Sequence, residues 1–215
     1  MAGRLESGAM GALHRFIERS SLFYYLRVPT YWGTMQRMRE ALALRDGERL
    51  LDVGCGTGMA AVLARGLYVG VDTTVPYLAF AQRRVADAAC HFVAMSALEL
   101  AFADNAFDKA VVINMVHHLD EPTVDALLVQ LTRVVRGKVV LLDAAPDAAN
   151  RFERFLLRHD RGHYIRERDA LRAILARHFT LRGEEVFHNT VHTVPQVMFH
   201  LEPRDAGSRS ESAVR

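Results

Sequence analysis

Two cysteines, six prolines and only two lysines among 27 basic residues leave several common explanations without material. Cys55 and Cys90 lie far apart, and neither sits in a metal-ligand spacing. They supply no disulfide framework and no zinc site, a usage that fits a reducing compartment. No apolar run approaches the roughly 20 residues that a bilayer-crossing helix needs. Met1 to Leu13 mixes Arg4 and Glu6 among small residues and has no apolar leader core, so a cytoplasmic protein without a membrane span is expected. The formal net charge of +2 is too small to be the electrostatic footprint of a nucleic-acid binder. Lys109 and Lys138 are the lysines, and the skew towards arginine is the kind that genomic base composition produces. What remains is ordinary for one globular domain: 215 residues, 50% hydrophobic and 24% charged.

The chain is organised around Leu50-Leu51-Asp52-Val53-Gly54-Cys55-Gly56-Thr57-Gly58. An apolar run suited to a buried strand breaks into alternate glycines, and a helix-favouring stretch, Met59 to Ala64, follows. Glycine tolerates positive φ and lets backbone approach a ligand. A glycine turn where a strand hands over to a helix is the usual nucleotide position in an open parallel sheet. The spacing is not Gly-x-Gly-x-x-Gly, and no Gly-Lys-Ser/Thr follows to hold a triphosphate. A second apolar run, Leu67 to Val71, ends in Asp72, whose carboxylate could accept both hydroxyls of a ribose.

Strands and helices alternate from 50 to 143, which argues for a parallel sheet covered on both faces. A helix is expected from Pro76 to Ala89, a third strand at His91–Ala94 and a fourth at Phe107–Asn114. A further helix runs from Glu121 to Val135, with Gly137 ending it, and a fifth strand covers Lys138–Asp143. Beyond it, Ala148–His159 and Glu167–His178 read as helices. Thr180–Phe187 and Thr193–Leu201 read as an antiparallel pair around Asn189-Thr190. Ahead of the first strand a loosely amphipathic stretch and an aromatic cluster precede a helix from Tyr31 to Leu44. Residues 1–47 are expected to form a helical lid, 48–204 the main domain with an acceptor-lid insertion at about 147–167, and 205–215 a disordered tail.

Asp52-Val53-Gly54-Cys55-Gly56-Thr57-Gly58 together with Val69-Gly70-Val71-Asp72 resembles the first two motifs of class I S-adenosylmethionine-dependent methyltransferases. The resemblance covers roughly 48 to 146 and extends to the small-molecule, ubiquinone- and menaquinone-biosynthesis type. It implies a doubly wound, mostly parallel seven-stranded sheet with a C-terminal antiparallel hairpin, and S-adenosyl-L-methionine as cofactor. Carried over residue by residue, it places Asp52, Gly54, Cys55, Gly56, Gly58, Asp72 and Thr73 around the cofactor. Met95-Ser96-Ala97-Leu98-Glu99-Leu100-Ala101-Phe102 is similar to the family's Gly-Asp-Ala-x-x-Leu-Pro-Phe segment. That puts Ser96, Ala97 and Leu98 near adenine, with serine where the family has an acidic residue. Ile113 and Asn114 fall at the methionine end. The interval from Gly58 to Asp72 is about one helical turn shorter than is usual in the family, so the first helix must be brief or the turn at Arg65-Gly66 tight.

Asn114-Met115-Val116-His117-His118-Leu119-Asp120 resembles the Leu-His-His-Leu segment of many small-molecule methyltransferases, in some of which a histidine here is the general base. Neutral imidazole suits that task near neutral pH. His117 and His118 are both candidates, with His117 preferred; the plain alternative is that one of them caps the next helix or fills a core slot. Tyr24, Tyr25, Tyr31, Arg161, Tyr164 and Arg166 are candidates for contacting the methyl acceptor, although aromatic residues more often simply pack a core. Target-base motifs of nucleic-acid methyltransferases are missing, and Asp143 alone does not build a magnesium site. The expected activity is methyl transfer to a small polar molecule, with oxygen ahead of nitrogen or carbon, by a monomer or homodimer that binds no nucleic acid. The rival is a cofactor-binding protein on the same fold that no longer methylates, acting as a partner subunit or in a cofactor-assisted rearrangement. Fold alone does not choose between them.

Overall fold

Short runs of Val, Ile and Leu, each joined to the next by a helix or turn, are what a parallel sheet buried on both faces requires. The computed structural model describes residues 33–151, 153, 163–188 and 195–204. Strands β1 (Leu50–Val53), β2 (Tyr68–Asp72), β3 (Cys90–Ala94), β4 (Lys109–Ile113) and β5 (Val139–Ala144) are parallel. β6 (Phe179–His188) and β7 (Pro195–Pro203) pair antiparallel, and β7 closes on β5, giving one seven-stranded sheet in the order β3-β2-β1-β4-β5-β7-β6. After β3 the chain crosses back to the far side of β1. The carboxyl ends of β1 and β4 therefore flank a topological switch point, where open α/β sheets place their ligand crevice.

Alternation along the strands divides the core in two. Leu51, Val53, Val112 and Leu141 face α3 (Glu121–Val134) and α4 (Arg168–His178), which bury Leu127, Leu128, Leu131, Ile174 and Leu175 against them; α1 (residues 33–42) and α2 (Val75–Arg84) precede these in the chain. Leu50, Val111, Val140 and Leu142 face the other way, towards α1 (residues 33–42) and a 3-10 turn at Met59–Leu63. Met38 and Leu42 of α1 are fully buried there. The described part of the expected lid is thus an integral layer of the core, while residues 1–32, with Tyr24, Tyr25 and Tyr31, lie outside the described residues, as do 205–215.

The boundaries differ from expectation for local reasons. The stretch after Gly58 makes only a five-residue 3-10 turn, because Arg65 must return to accept from the Gly47 amide (2.9 Å). A Cβ on Gly66 would sit 2.7 Å from the Gly47 backbone, so the tight turn needs glycine. Helix α2 (Val75–Arg84) stops short of Ala89; the Asp87 carboxylate accepts from Ala89 N at 2.8 Å and starts β3 instead. α3 ends at Val134, and Val135 is already extended. Gly137 is not a left-handed helix cap; a Cβ there would lie 2.5 Å from the Asp108 carbonyl oxygen, so the residue is small because two backbones touch. Most of the expected 148–159 helix lies outside the described residues, and residues 146–148 form a 3-10 turn. Among the described residues, no helix is long and apolar enough to cross a membrane.

Candidate active site

The glycine turn after β1 is built from positive-φ backbone: Gly54, Gly56 and Gly58 have φ of 74°, 51° and 72°. Each is glycine for that reason, but their surroundings differ. A Cβ on Gly58 would strike the Phe92 ring at 2.6 Å, and one on Gly54 would come within 2.7 Å of Met115 Sδ. A Cβ on Gly56 would meet nothing within 4 Å, so this glycine presents bare backbone outward. Arg84, at the end of α2, donates to the Thr57 and Gly58 carbonyls (3.3 and 2.6 Å) and pins the turn from behind.

Asp72 ends β2 beside this turn. One carboxylate oxygen accepts from Gly56 N at 2.8 Å and the other from Thr74 N at 2.7 Å. A carboxylate has about four acceptor positions, so both oxygens retain capacity for further donors. Asp72 also accepts through its carbonyl from Met95 N (3.1 Å), which brings the Ser96–Leu98 segment alongside. Ser96 Oγ accepts from Leu98 N at 3.2 Å, Ala97 is buried and Leu98 is largely exposed. Thr73 lies between Asp72 and the N-cap of α2 and is exposed.

Asp52 lies beneath the turn. Its carboxylate is 2% exposed and accepts from the Tyr68 hydroxyl at 2.6 Å. Burial pushes it up to about 7, with the Tyr68 hydrogen bond opposing the rise and the charge of Asp72 adding to it. Cys55 packs against Gly70, whose added Cβ would be 2.8 Å from Cys55 Sγ. Burial, with the charges of Asp52 and Asp72, raises that thiol far above its usual value, so it is an inert packing group.

The second half of the site follows β4. Asn114 adopts φ 49°, unusual for a residue with a side chain, and its Oδ1 accepts from Gln196 of β7 at 3.0 Å. Ile113 is the last residue of β4 and packs against the α1-side core. The chain then turns through a 3-10 segment, Val116–His118. His117 Nδ1 is 2.5 Å from Asp143 Oδ1, and His117 N donates to Asp143 Oδ2 at 3.1 Å. The His118 ring lies beside that of His117, with centroids 4.1 Å apart. Sequence reasoning set Asp143 aside because it considered only metal binding; the signal available was its place one residue beyond Leu142, the strand partner of Ile113.

Of the acceptor candidates, Tyr164 and Arg166 are described. A shallow depression is lined by Val116, His117, Asp143, Ala144, Tyr164, Arg166 and Leu171. Tyr164 N donates to the His117 carbonyl at 3.0 Å, and its ring is 45% exposed. The Arg166 guanidinium donates to the carbonyls of Val116 (3.0 Å), Leu119 (2.6 Å) and Tyr164 (3.0 Å), so it clamps the histidine turn. Arg161 lies outside the described residues, as does the Asn189-Thr190 turn. At the start of the expected insertion, Asn150 and Glu153 cap one another reciprocally (3.0 and 2.7 Å), and Glu153 also meets His188 at 3.2 Å. Among the described residues, no group of three or more His, Cys, Asp or Glu side chains could hold a metal ion.

Residues 50–138 match the family model described as a methyltransferase domain. The chain is 32% identical over 117 residues to the O-methyltransferase cnsE of Penicillium expansum, a match covering 49% of this chain and 41% of that protein. It is 35% identical over 108 residues to a fatty-acid O-methyltransferase of Mycolicibacterium smegmatis, covering 47% of this chain and 39% of that protein. The chain thus spans about two fifths of the length of these two curated relatives. Its fold is similar to that of geranyl diphosphate C-methyltransferase from Streptomyces coelicolor A3(2), solved with Mg2+, geranyl diphosphate and S-adenosyl-L-homocysteine; the TM-score is 0.66 at 14% identity, over 80% of this chain and 79% of that one.

Proposed function

We propose, for a chain whose residues 50–138 match a methyltransferase-domain family model, that it is a class I S-adenosylmethionine-dependent enzyme that transfers a methyl group to the oxygen of a small polar molecule, with His117 as general base. The observation that carries this reading is the direct contact between the two halves of the site: Met115, two residues before His117, packs on Gly54 of the glycine turn. A donor held on the turn and a base carried after β4 then serve one crevice.

The residues suit the cofactor. Bare backbone at Gly56, next to a carboxylate with acceptor capacity at Asp72, fits a ribose, and Gly54, Cys55, Gly58 and Thr73 shape the surrounding turn. Ser96, Ala97 and Leu98 would flank adenine, and Ile113 and Asn114 the methionine end, with Asp52 supporting the turn from below. When bound, S-adenosylmethionine supplies an electrophilic methyl on a sulfonium and becomes a neutral thioether, so the one proton to be removed is the acceptor's own. His117 takes that proton, and the charge of the resulting imidazolium is balanced by the neighbouring carboxylate of Asp143. Tyr164 and Arg166 border the depression in which the acceptor would lie. The names of the two curated relatives, both O-methyltransferases, support oxygen as the accepting atom. Alignment of the reactants supplies the larger share of the acceleration, up to roughly 7–11 kcal/mol in well-oriented systems; the base adds ~10²–10⁴-fold.

Isothermal titration with S-adenosylmethionine tests the cofactor half: the parent binds and Asp72→Ala binds more weakly, and equal affinity would refute the ribose assignment. Label transfer from methyl-tritiated cofactor into a panel of hydroxylated small molecules tests the reaction. His117→Ala is expected to lose about 10²–10⁴-fold in rate. Transfer at full rate by the His117→Ala, His118→Ala double variant would remove the base, and binding without transfer to any compound would favour the non-methylating alternative.

A further inference from the structure

Asp143 is almost completely buried, at 2% exposure, and its carboxylate meets His117 and Ala144. Oδ1 meets His117 Nδ1 at 2.5 Å and accepts from Ala144 N at 2.7 Å; Oδ2 accepts from His117 N at 3.1 Å. One carboxylate therefore grips both the ring and the backbone of the same histidine. Arg166 holds the Val116 and Leu119 carbonyls, and the Tyr164 amide holds that of His117. The register of β4 on β5 makes this meeting obligatory: Ile113 pairs with Leu142, so the next residue of β5 lies level with Asn114, where the chain turns back over the strand ends.

We propose that Asp143 is the positioning residue of this site: it fixes His117 in the tautomer that carries its proton on Nδ1 and its lone pair on Nε2. The chemistry is one of complementarity. An ionised carboxylate only accepts, so a neutral imidazole facing it must present N–H, and the basic nitrogen is then the other one. The same carboxylate stabilises the imidazolium formed when Nε2 takes a proton. Truncation to alanine leaves Nδ1 without this acceptor, so the carboxylate no longer selects the Nδ1–H tautomer and the base is weakened without removing the histidine. The inference deepens the proposed function and rests on its reading of His117 as the base.

The test is the tautomer itself, read from long-range proton–nitrogen correlations of protein labelled with 15N-histidine, with His117→Gln identifying the signal. At a pH where the ring is neutral, the parent is expected to show the proton on Nδ1 and the lone pair on Nε2. Asp143→Ala is expected to shift the proton towards Nε2 while the cofactor titration stays within a fewfold of the parent's. A parent spectrum with Nε2–H overturns the proposal, as does an Asp143→Ala spectrum unchanged from the parent. If Asp143→Ala does not fold, the parent spectrum still decides. The two readings fail separately: a correct tautomer in a protein that does not bind S-adenosylmethionine would refute the proposed function and leave the role of Asp143 in place.

Discussion

Asp52 shows how a side chain can serve a turn without reaching its ligand. It stands on the α1 side of β1, under the glycine turn, and its carboxylate is held by Tyr68 in a space from which water is excluded. Raised from 3.8 to about 7, it folds most favourably when protonated. A carboxyl whose folded value is above its unfolded one contributes stability that is complete below about 3.8 and is lost as pH rises through about 7. The displacement corresponds to on the order of 4 kcal/mol across that interval. Asp52→Asn should therefore gain on the parent as pH increases, and thermal melts at several values between pH 4 and 8 should show the gap widening. A constant gap would mean that Asp52 is ionised throughout and that the Tyr68 hydrogen bond outweighs burial.

At the scale of elements, both lysines of this arginine-rich chain do the same work. Lys138 Nζ donates to the Ala41 carbonyl and Lys109 Nζ to the Ala43 carbonyl, each at 2.8 Å, at the C-terminal end of α1; Lys109 also pairs with Glu48. Helix ends leave carbonyls without intrahelical donors, and a compact cation satisfies them and opposes the helix dipole. Lys109→Met and Lys138→Met should each cost about 1–2 kcal/mol, with urea midpoints falling and m-values unchanged; unshifted midpoints would show α1 held by Met38 and Leu42 alone. Composition could not reveal this role, because it depends on which strands lie under α1. The strands themselves were legible, since Leu50–Val53 and Val139–Ala144 are buried runs whatever their neighbours, and so was the hairpin. Asp143 was not, because its partner is 26 residues away and only the β4–β5 register joins them. The role of Gly137 was misread for a similar reason: helix-end glycine is the commoner local pattern, and the contact with Asp108 is a tertiary one.

Across the whole molecule, the crevice works only if the turn after β1 and the segment after β4 keep their spacing, and Gly54 against Met115 is where they touch. Comparison of two glycines isolates that contact. Gly54→Ala and Gly56→Ala each force a side chain into positive φ, a strain of about 1–3 kcal/mol, so both should weaken S-adenosylmethionine binding by roughly tenfold or more. Their effects on the second half of the site should differ. The new methyl at 54 displaces the Met115 side chain, two residues from His117, whereas the methyl at 56 meets no protein atom. The His117 nitrogen resonances should accordingly move in Gly54→Ala and stay in place in Gly56→Ala, without any acceptor being needed. Shortening the obstacle with Met115→Ala in the Gly54→Ala background should return the His117 signal towards its position in Met115→Ala alone, while leaving the φ-derived loss of binding. If the His117 signal is the same in Gly54→Ala and the parent, the two halves are not coupled through this contact, and the crevice is held together by the strands beneath it.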